Sequence, residues 1–125
     1  MRNLVIVMLG GAIGAGFRYE VGLVALRLMG AAFPWSTLFV NLLGGLCAGL
    51  LAALLTTKGA EGESLRLFLG VGLLGGFTTF SAFSAETVQL LQRGEAGLAG
   101  SYMLGSVAGS ILFCFIGFFA GRAAS

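Results

Sequence analysis

The sequence predicts an all-α membrane protein of four transmembrane helices, and three observations carry the prediction. The 125-residue chain is 58% hydrophobic and 10% charged, with a mean hydropathy of +1.01, which leaves too little polar surface to coat a water-soluble globule. Its apolar residues fall into four segments, each near the roughly 20 residues that cross a bilayer. The connections are short, and none has the composition of a linker or a soluble domain, so one domain over residues 1–125 is expected. A bundle this small has little interior in which to hide a polar path, and oligomerisation is expected from the outset.

The first span covers about residues 3–29 and carries Arg18 and Glu20 in its second half, leaving Leu4 to Phe17 as a short uncharged part. On length alone that part resembles a signal peptide. The residues around Ala15 do not make a small-x-small cleavage site, however, and three more hydrophobic segments follow, so the segment reads as retained. The second span runs over about residues 34–56, with Pro34 suited to a first helical turn and Trp35 to the lipid headgroup zone. The third runs over about residues 65–91 and the fourth over about 98–121, where Tyr102 either anchors at the interface or faces inward.

Glycine accounts for 22 residues and recurs at a spacing of four: Gly10 and Gly14, Gly45 and Gly49, Gly72 and Gly76, Gly105 and Gly109, Gly117 and Gly121. Lipid tails are as apolar as leucine, so helices in a bilayer gain from close backbone approach, which glycine permits. Tight packing follows; no chemistry does. Cys47 and Cys114 both fall in apolar segments and read as small hydrophobes. The formal charge of +2 comes without a basic run, which sets nucleic acid and anionic lipid headgroups aside as partners and leaves bulk membrane lipid as the surroundings.

With four spans, Arg2, Lys58, Arg66 and Arg122 share one side of the membrane, and Arg18, Arg27 and Arg93 share the other. Four against three is close to no bias under the positive-inside rule, so insertion in either orientation, and an antiparallel dimer, are physically accessible.

Polar residues at membrane depth are functional candidates, because an unpaired one is expensive in hydrocarbon. Thr37 and Asn41 lie four apart on one face of the second span, and Asn41 either fixes packing by an interhelical hydrogen bond or serves a path. Tyr102, Ser106 and Ser110 form a similar row on the fourth. Glu86, the only acid late in the third span, marks either a vestibule or a proton-binding transporter site. The stretch GGFTTFSAF, residues 75–83, combines Gly75 and Gly76 with Thr78, Thr79 and Ser81, and predicts a helix broken near the middle of the third span. A break frees carbonyl oxygens, which suit a cation, while Phe77, Phe80 and Phe83 form either a packing stripe or a set of electropositive ring edges for a small anion.

The run GGFTTFSAFSAE resembles the third-span signature of the small fluoride channels of the Fluc (CrcB) family, and TLFVNLLGGLCAG and GGAIGAGFRY resemble that family's second-span and first-span patterns. The likeness extends over the whole chain in length and layout. It implies an antiparallel dual-topology homodimer in the cytoplasmic membrane of a bacterial or archaeal cell, with two narrow pores that carry fluoride passively outward. It also implies a structural sodium ion at the dimer centre, held by the carbonyls of Gly75 and Thr78. Carried over by motif, the fluoride-facing rings are Phe80 and Phe83, and the pore amide is Asn41. The hydroxyl track is Thr37, Ser81, Tyr102 and Ser110, with Glu86 at its end and Arg18 near an aqueous vestibule. Ala82 departs from the pattern, which has a threonine there, and removes one hydroxyl from the track.

Two other readings compete. A proton-coupled small multidrug exporter shares the four-span dual-topology plan but needs an embedded first-span carboxylate, whereas Glu20 lies beside Arg18 towards that span's end. A non-transporting assembly subunit would use the glycine faces to hold larger partners. Enzymatic chemistry is not expected: the chain has no histidine, no nucleophile with a base at plausible spacing and no metal-ligand cluster.

Overall fold

The computed structural model describes all 125 residues, and the chain is helical almost throughout. Helix α1, Arg2–Met29, has 28 residues and rises about 42 Å, more than the roughly 30 Å of a hydrocarbon core. Gly30, at φ 77°, ends it in a conformation that side chains other than glycine's resist. Helix α2, Trp35–Leu55, starts directly after Pro34, whose carbonyl accepts the Leu38 amide at 3.2 Å. The third span is composite. A 3-10 turn, Gly59–Gly62, leads into α3, Glu63–Leu65, then a π-helical stretch, Arg66–Leu74, then α4, Gly75–Phe77. Thr78 and Thr79 are extended, and α5, Phe80–Gln92, completes the crossing. Helix α6, Ala96–Ala124, is the fourth span. All four spans are long and apolar enough to cross a membrane, which makes this a multi-pass membrane protein.

The spans pack as two close pairs: α2 lies along α6, while α1 lies along the π-helical stretch and α4. Glycine sets both distances. A Cβ on Gly14 would strike the Leu73 carbonyl and come within 2.8 Å of the Phe77 nitrogen, and one on Gly76 would stand 3.1 Å from the Ala15 nitrogen. Between α2 and α6, Gly49 faces Cys114 and Gly117 faces Leu46 with equal intimacy. Gly105 is the exception among the spaced glycines, with open space around it, so its spacing marks no packing seam within one chain. Only 19 of 125 residues are buried; the outer surface is apolar, as a lipid-facing or partner-facing surface must be.

The third span is interrupted near its middle, but three residues later than the paired glycines would place it. Gly75 is helical at φ −61°, ψ −38°, while the extended residues are Thr78 at φ −87°, ψ 161° and Thr79 at φ −154°, ψ 122°. Gly76 is spent on the approach to α1, and the break forms where side chains satisfy the freed backbone. The interruption also divides the phenylalanine stripe: Phe77 and Phe83 are buried, whereas Phe80 is 77% exposed. The three rings do not share a side, because two extended residues carry Phe80 out of the helical register of Phe77.

Candidate functional site

Breaking a helix at Thr78 and Thr79 releases four backbone hydrogen bonds, and the chain replaces a partner in three of them. In a continuous helix the Thr79 amide would donate to the Gly75 carbonyl; here it donates to Asn41 Oδ1 at 2.9 Å, while Asn41 Nδ2 donates to the Thr79 carbonyl at 3.1 Å. The amide group of Asn41 thus lies against Thr79 as a neighbouring strand would. The Gly76 carbonyl would accept the Phe80 amide and instead accepts Arg18 Nε at 3.1 Å. The Ala82 amide, due to the Thr78 carbonyl, donates to Thr79 Oγ1 at 3.1 Å, a side-chain cap that starts α5. Thr78 keeps its own bonds to the Leu74 carbonyl, from its amide and its hydroxyl, both at 2.9 Å. The carbonyls of Gly75 and Thr78 receive no hydrogen bond from the chain.

Those carbonyls belong to residues lining an open cavity of about 460 Å³ beside the break. Asn41, Thr79, Phe80, Phe83, Ser106 and Ser110 line it as well, so six of the residues that the family resemblance assigns to the pore or the sodium site, Asn41, Gly75, Thr78, Phe80, Phe83 and Ser110, meet around one space. Gly44 makes room for the break, since a Cβ there would collide with the Thr78 methyl. Ser106 is almost fully buried and its hydroxyl finds no partner; an orphaned hydroxyl in a membrane interior is uncommon and costly.

One turn further along α5 lies a buried cluster. Phe83 packs on Tyr102 with ring centroids 5.1 Å apart, and Phe33 meets the other side of Tyr102 edge-on at 5.3 Å. Behind them Thr37 donates to Glu86 Oε2 at 3.0 Å and Tyr102 donates to Glu86 Oε1 at 2.9 Å. Thr37, Tyr102 and Glu86 therefore act as one network drawn from three spans, which their separate positions in the sequence do not reveal. Glu86 also lines a second cavity of about 230 Å³ that opens towards the α1–α2 connection, together with Phe33, Ser36, Gln89 and Arg93. The two cavities approach the Phe83, Tyr102 and Thr37 cluster from opposite ends of α5.

Two of the singled-out residues stand apart. Ser81 is exposed, with its hydroxyl 3.3 Å from Thr79 Oγ1, and Arg18 is half-buried on the α1 side of the break. Thr79 is the residue that sequence reasoning undervalued: its backbone, rather than its hydroxyl alone, ties the break to α2. No sequence signal points to that contact, since Asn41 lies 38 positions away.

The carbonyls of Gly75 and Thr78 fit a sodium ion by donor type, as hard cations take oxygen ligands and these two lack hydrogen-bond donors. A single chain offers too few such oxygens to enclose an ion; two copies would double them.

Comparison with known proteins agrees on one family. The family described as CrcB-like protein, Camphor Resistance (CrcB), matches residues 5–118. A relative named fluoride-specific ion channel FluC, from Sphingopyxis alaskensis, is 53% identical over 114 residues, covering 91% of this chain and 90% of its own. Proteins of the same name from Chelativorans sp. and Thermus thermophilus are 49% and 48% identical, each over 98% of both chains. With a family match that leaves out only the chain ends, and identity near one half along almost its whole length, this chain belongs to the CrcB-like family.

Proposed function

We propose that this protein is a fluoride-selective channel that works as an antiparallel, dual-topology homodimer in the cytoplasmic membrane and carries fluoride passively out of the cell. The observation that carries the reading is the cavity at the break, where Phe80, Phe83, Asn41, Ser106 and Ser110 converge. Fluoride is small and strongly hydrated, so a selective path must replace its water with closely placed donors and stay too tight for larger halides. Asn41 commits its oxygen and one N–H to Thr79 and retains a second N–H for an ion. The Ser106 hydroxyl, buried in the wall of the same cavity, has no partner within the chain. Ring edges of Phe80 and Phe83 supply the electropositive rims.

The exposure of Phe80 supports the dimer. A pore-facing ring left 77% exposed in one chain needs a second copy to exclude lipid and water from it. Gly75 and Thr78 of each copy would hold a structural sodium ion through their carbonyls, and that ion would supply a fixed positive charge at the dimer centre. The near-balance of basic residues on the two sides supports insertion in both orientations.

The test is fluoride efflux from proteoliposomes containing only this protein, with chloride as the comparison ion and no proton gradient. Fluoride flux well above chloride flux is expected; flux that requires a proton gradient would favour a coupled exporter, and none at all would favour an assembly subunit. Within that assay Phe80→Ile and Phe83→Ile both abolish fluoride flux while dimers still form on a sizing column. Normal flux in both variants removes the ring-edge mechanism.

A further inference from the structure

We infer that Arg18 is a positioning residue for the third-span break: by occupying the Gly76 carbonyl it denies Phe80 the hydrogen bond that would close α4 and α5 into a continuous helix. The inference extends the reading of the break and stands whether or not a sodium ion or fluoride binds there.

Helices in a membrane interior close their own backbone hydrogen bonds because nothing else there can, and an interruption survives only if other groups take over. Asn41 takes the donor side of one lost bond, the Thr79 amide, and Arg18 takes the acceptor side of the next, the Gly76 carbonyl. The two side chains come from different spans and grip opposite flanks of the interruption. If either lets go, residues 78 and 79 can turn helical and recover the missing bond.

Arginine suits this role better than a neutral donor. A hydrogen bond from an ionised group is stronger than a neutral one, and the planar guanidinium, locked at Nε, resists rotation in a way that a serine or threonine hydroxyl does not. Arg18 forms no ion pair; the salt bridges in the chain join Arg66 to Glu63 and Arg93 to Glu95. Its one bonded partner in the chain is the Gly76 carbonyl, so an expensive charge at membrane depth is held against a backbone oxygen rather than a carboxylate. The glycine seam brings it there: Gly14 touches Leu73 and Phe77, Gly76 touches Gly11 and Ala15, and position 18 is the next turn of α1 along that seam.

The consequence for conduction runs through geometry. With Gly76 held, the Gly75 and Thr78 carbonyls stay free and Phe80 keeps its place at the cavity; a healed helix would consume the Gly75 carbonyl and rotate Phe80 away.

The test reads backbone conformation at the break directly. In detergent-solubilised protein with 13C-labelled threonine, the Cα and Cβ shifts of Thr78 and Thr79 report extended backbone, and Thr56 and Thr87 serve as references outside it. Arg18→Met is expected to move the Thr78 and Thr79 shifts towards helical values, with the reference threonines unmoved and fluoride flux reduced. Loss of one charge-assisted bond corresponds to about a 10- to 100-fold change in the ratio of broken to continuous helix. Arg18→Lys, which keeps a charged donor, is expected to retain extended shifts and part of the flux. Should Arg18→Met not yield folded protein, Arg18→Gln is read in its place, since its shorter amide falls short of the carbonyl. Extended shifts unchanged in the variant lacking the donor overturn the inference. If the unsubstituted protein carries no fluoride, the proposed function fails, and the threonine shifts still decide the role of Arg18.

Discussion

Replacing Asn41 with leucine removes both hydrogen bonds to Thr79, at 2.9 and 3.1 Å, and puts nothing polar in their place. Leucine shares asparagine's branching at Cγ but is bulkier, so the change tests bonding and packing together. Two backbone groups lose their partners, and a buried unsatisfied group costs about 1–3 kcal/mol. Thr79 is only half-buried, which allows partial compensation, and hydrogen bonds between membrane helices average about 0.6 kcal/mol when measured singly. The expected loss is therefore about 1–3 kcal/mol, a sizeable share of the roughly 5–15 kcal/mol that holds a folded domain together. Reversible unfolding in mixed micelles, followed by tryptophan fluorescence from the single Trp35, measures it. A variant whose unfolding free energy stays within about 0.5 kcal/mol of the parent would refute the idea that Asn41 clamps the break, and would leave donation to an ion as its sole task.

Gly14→Val places a branched side chain against the Leu73 carbonyl and the Phe77 nitrogen, backbone atoms that cannot yield, and is expected to cost several kcal/mol (roughly 3 or more); loss of a monodisperse peak on size exclusion checks it. Ser106→Ala separates stability from transport. Deleting an orphaned buried hydroxyl should raise or leave unchanged the unfolding midpoint, while fluoride efflux slows because a donor on the cavity wall is gone. Glu86→Gln keeps one acceptor for Thr37 or Tyr102 but turns an N–H towards the other hydroxyl; a loss of about 1 kcal/mol in thermal stability is expected, with altered fluoride flux in the same liposome assay.

The four spans were legible because hydropathy over about 20 residues is a cumulative signal that no single contact overrides. A break in the third was legible for a similar reason: glycines and hydroxyls clustered in one apolar segment announce backbone that is not ordinary helix. Its position was not. Gly75 and Gly76 are the residues most able to leave a helix, yet both stay in it, because contact with α1 requires Gly76 there and the caps available to the freed groups belong to Asn41, Thr79 and Arg18. Two of those three lie in other spans. The network of Thr37, Glu86 and Tyr102 escaped in the same way: each residue stood out as polar in oil, but which hydroxyls meet which carboxylate depends on how α2, α5 and α6 cross. The phenylalanine spacing misled for a related reason, since a period of three assumes one uninterrupted helix between Phe77 and Phe83.

The interruption at Thr78 and Thr79 leaves two helix ends facing one another at mid-membrane. Helix α4 finishes with its carbonyls, the negative pole of a peptide dipole array, and the 13-residue α5 begins with its amides, the positive pole. Partial charges of opposite sign thus stand within a few residues of each other, and the ionised side chain of Arg18 meets the carbonyl pole. A drug-sized ligand that bridged both poles would have to carry both charges itself.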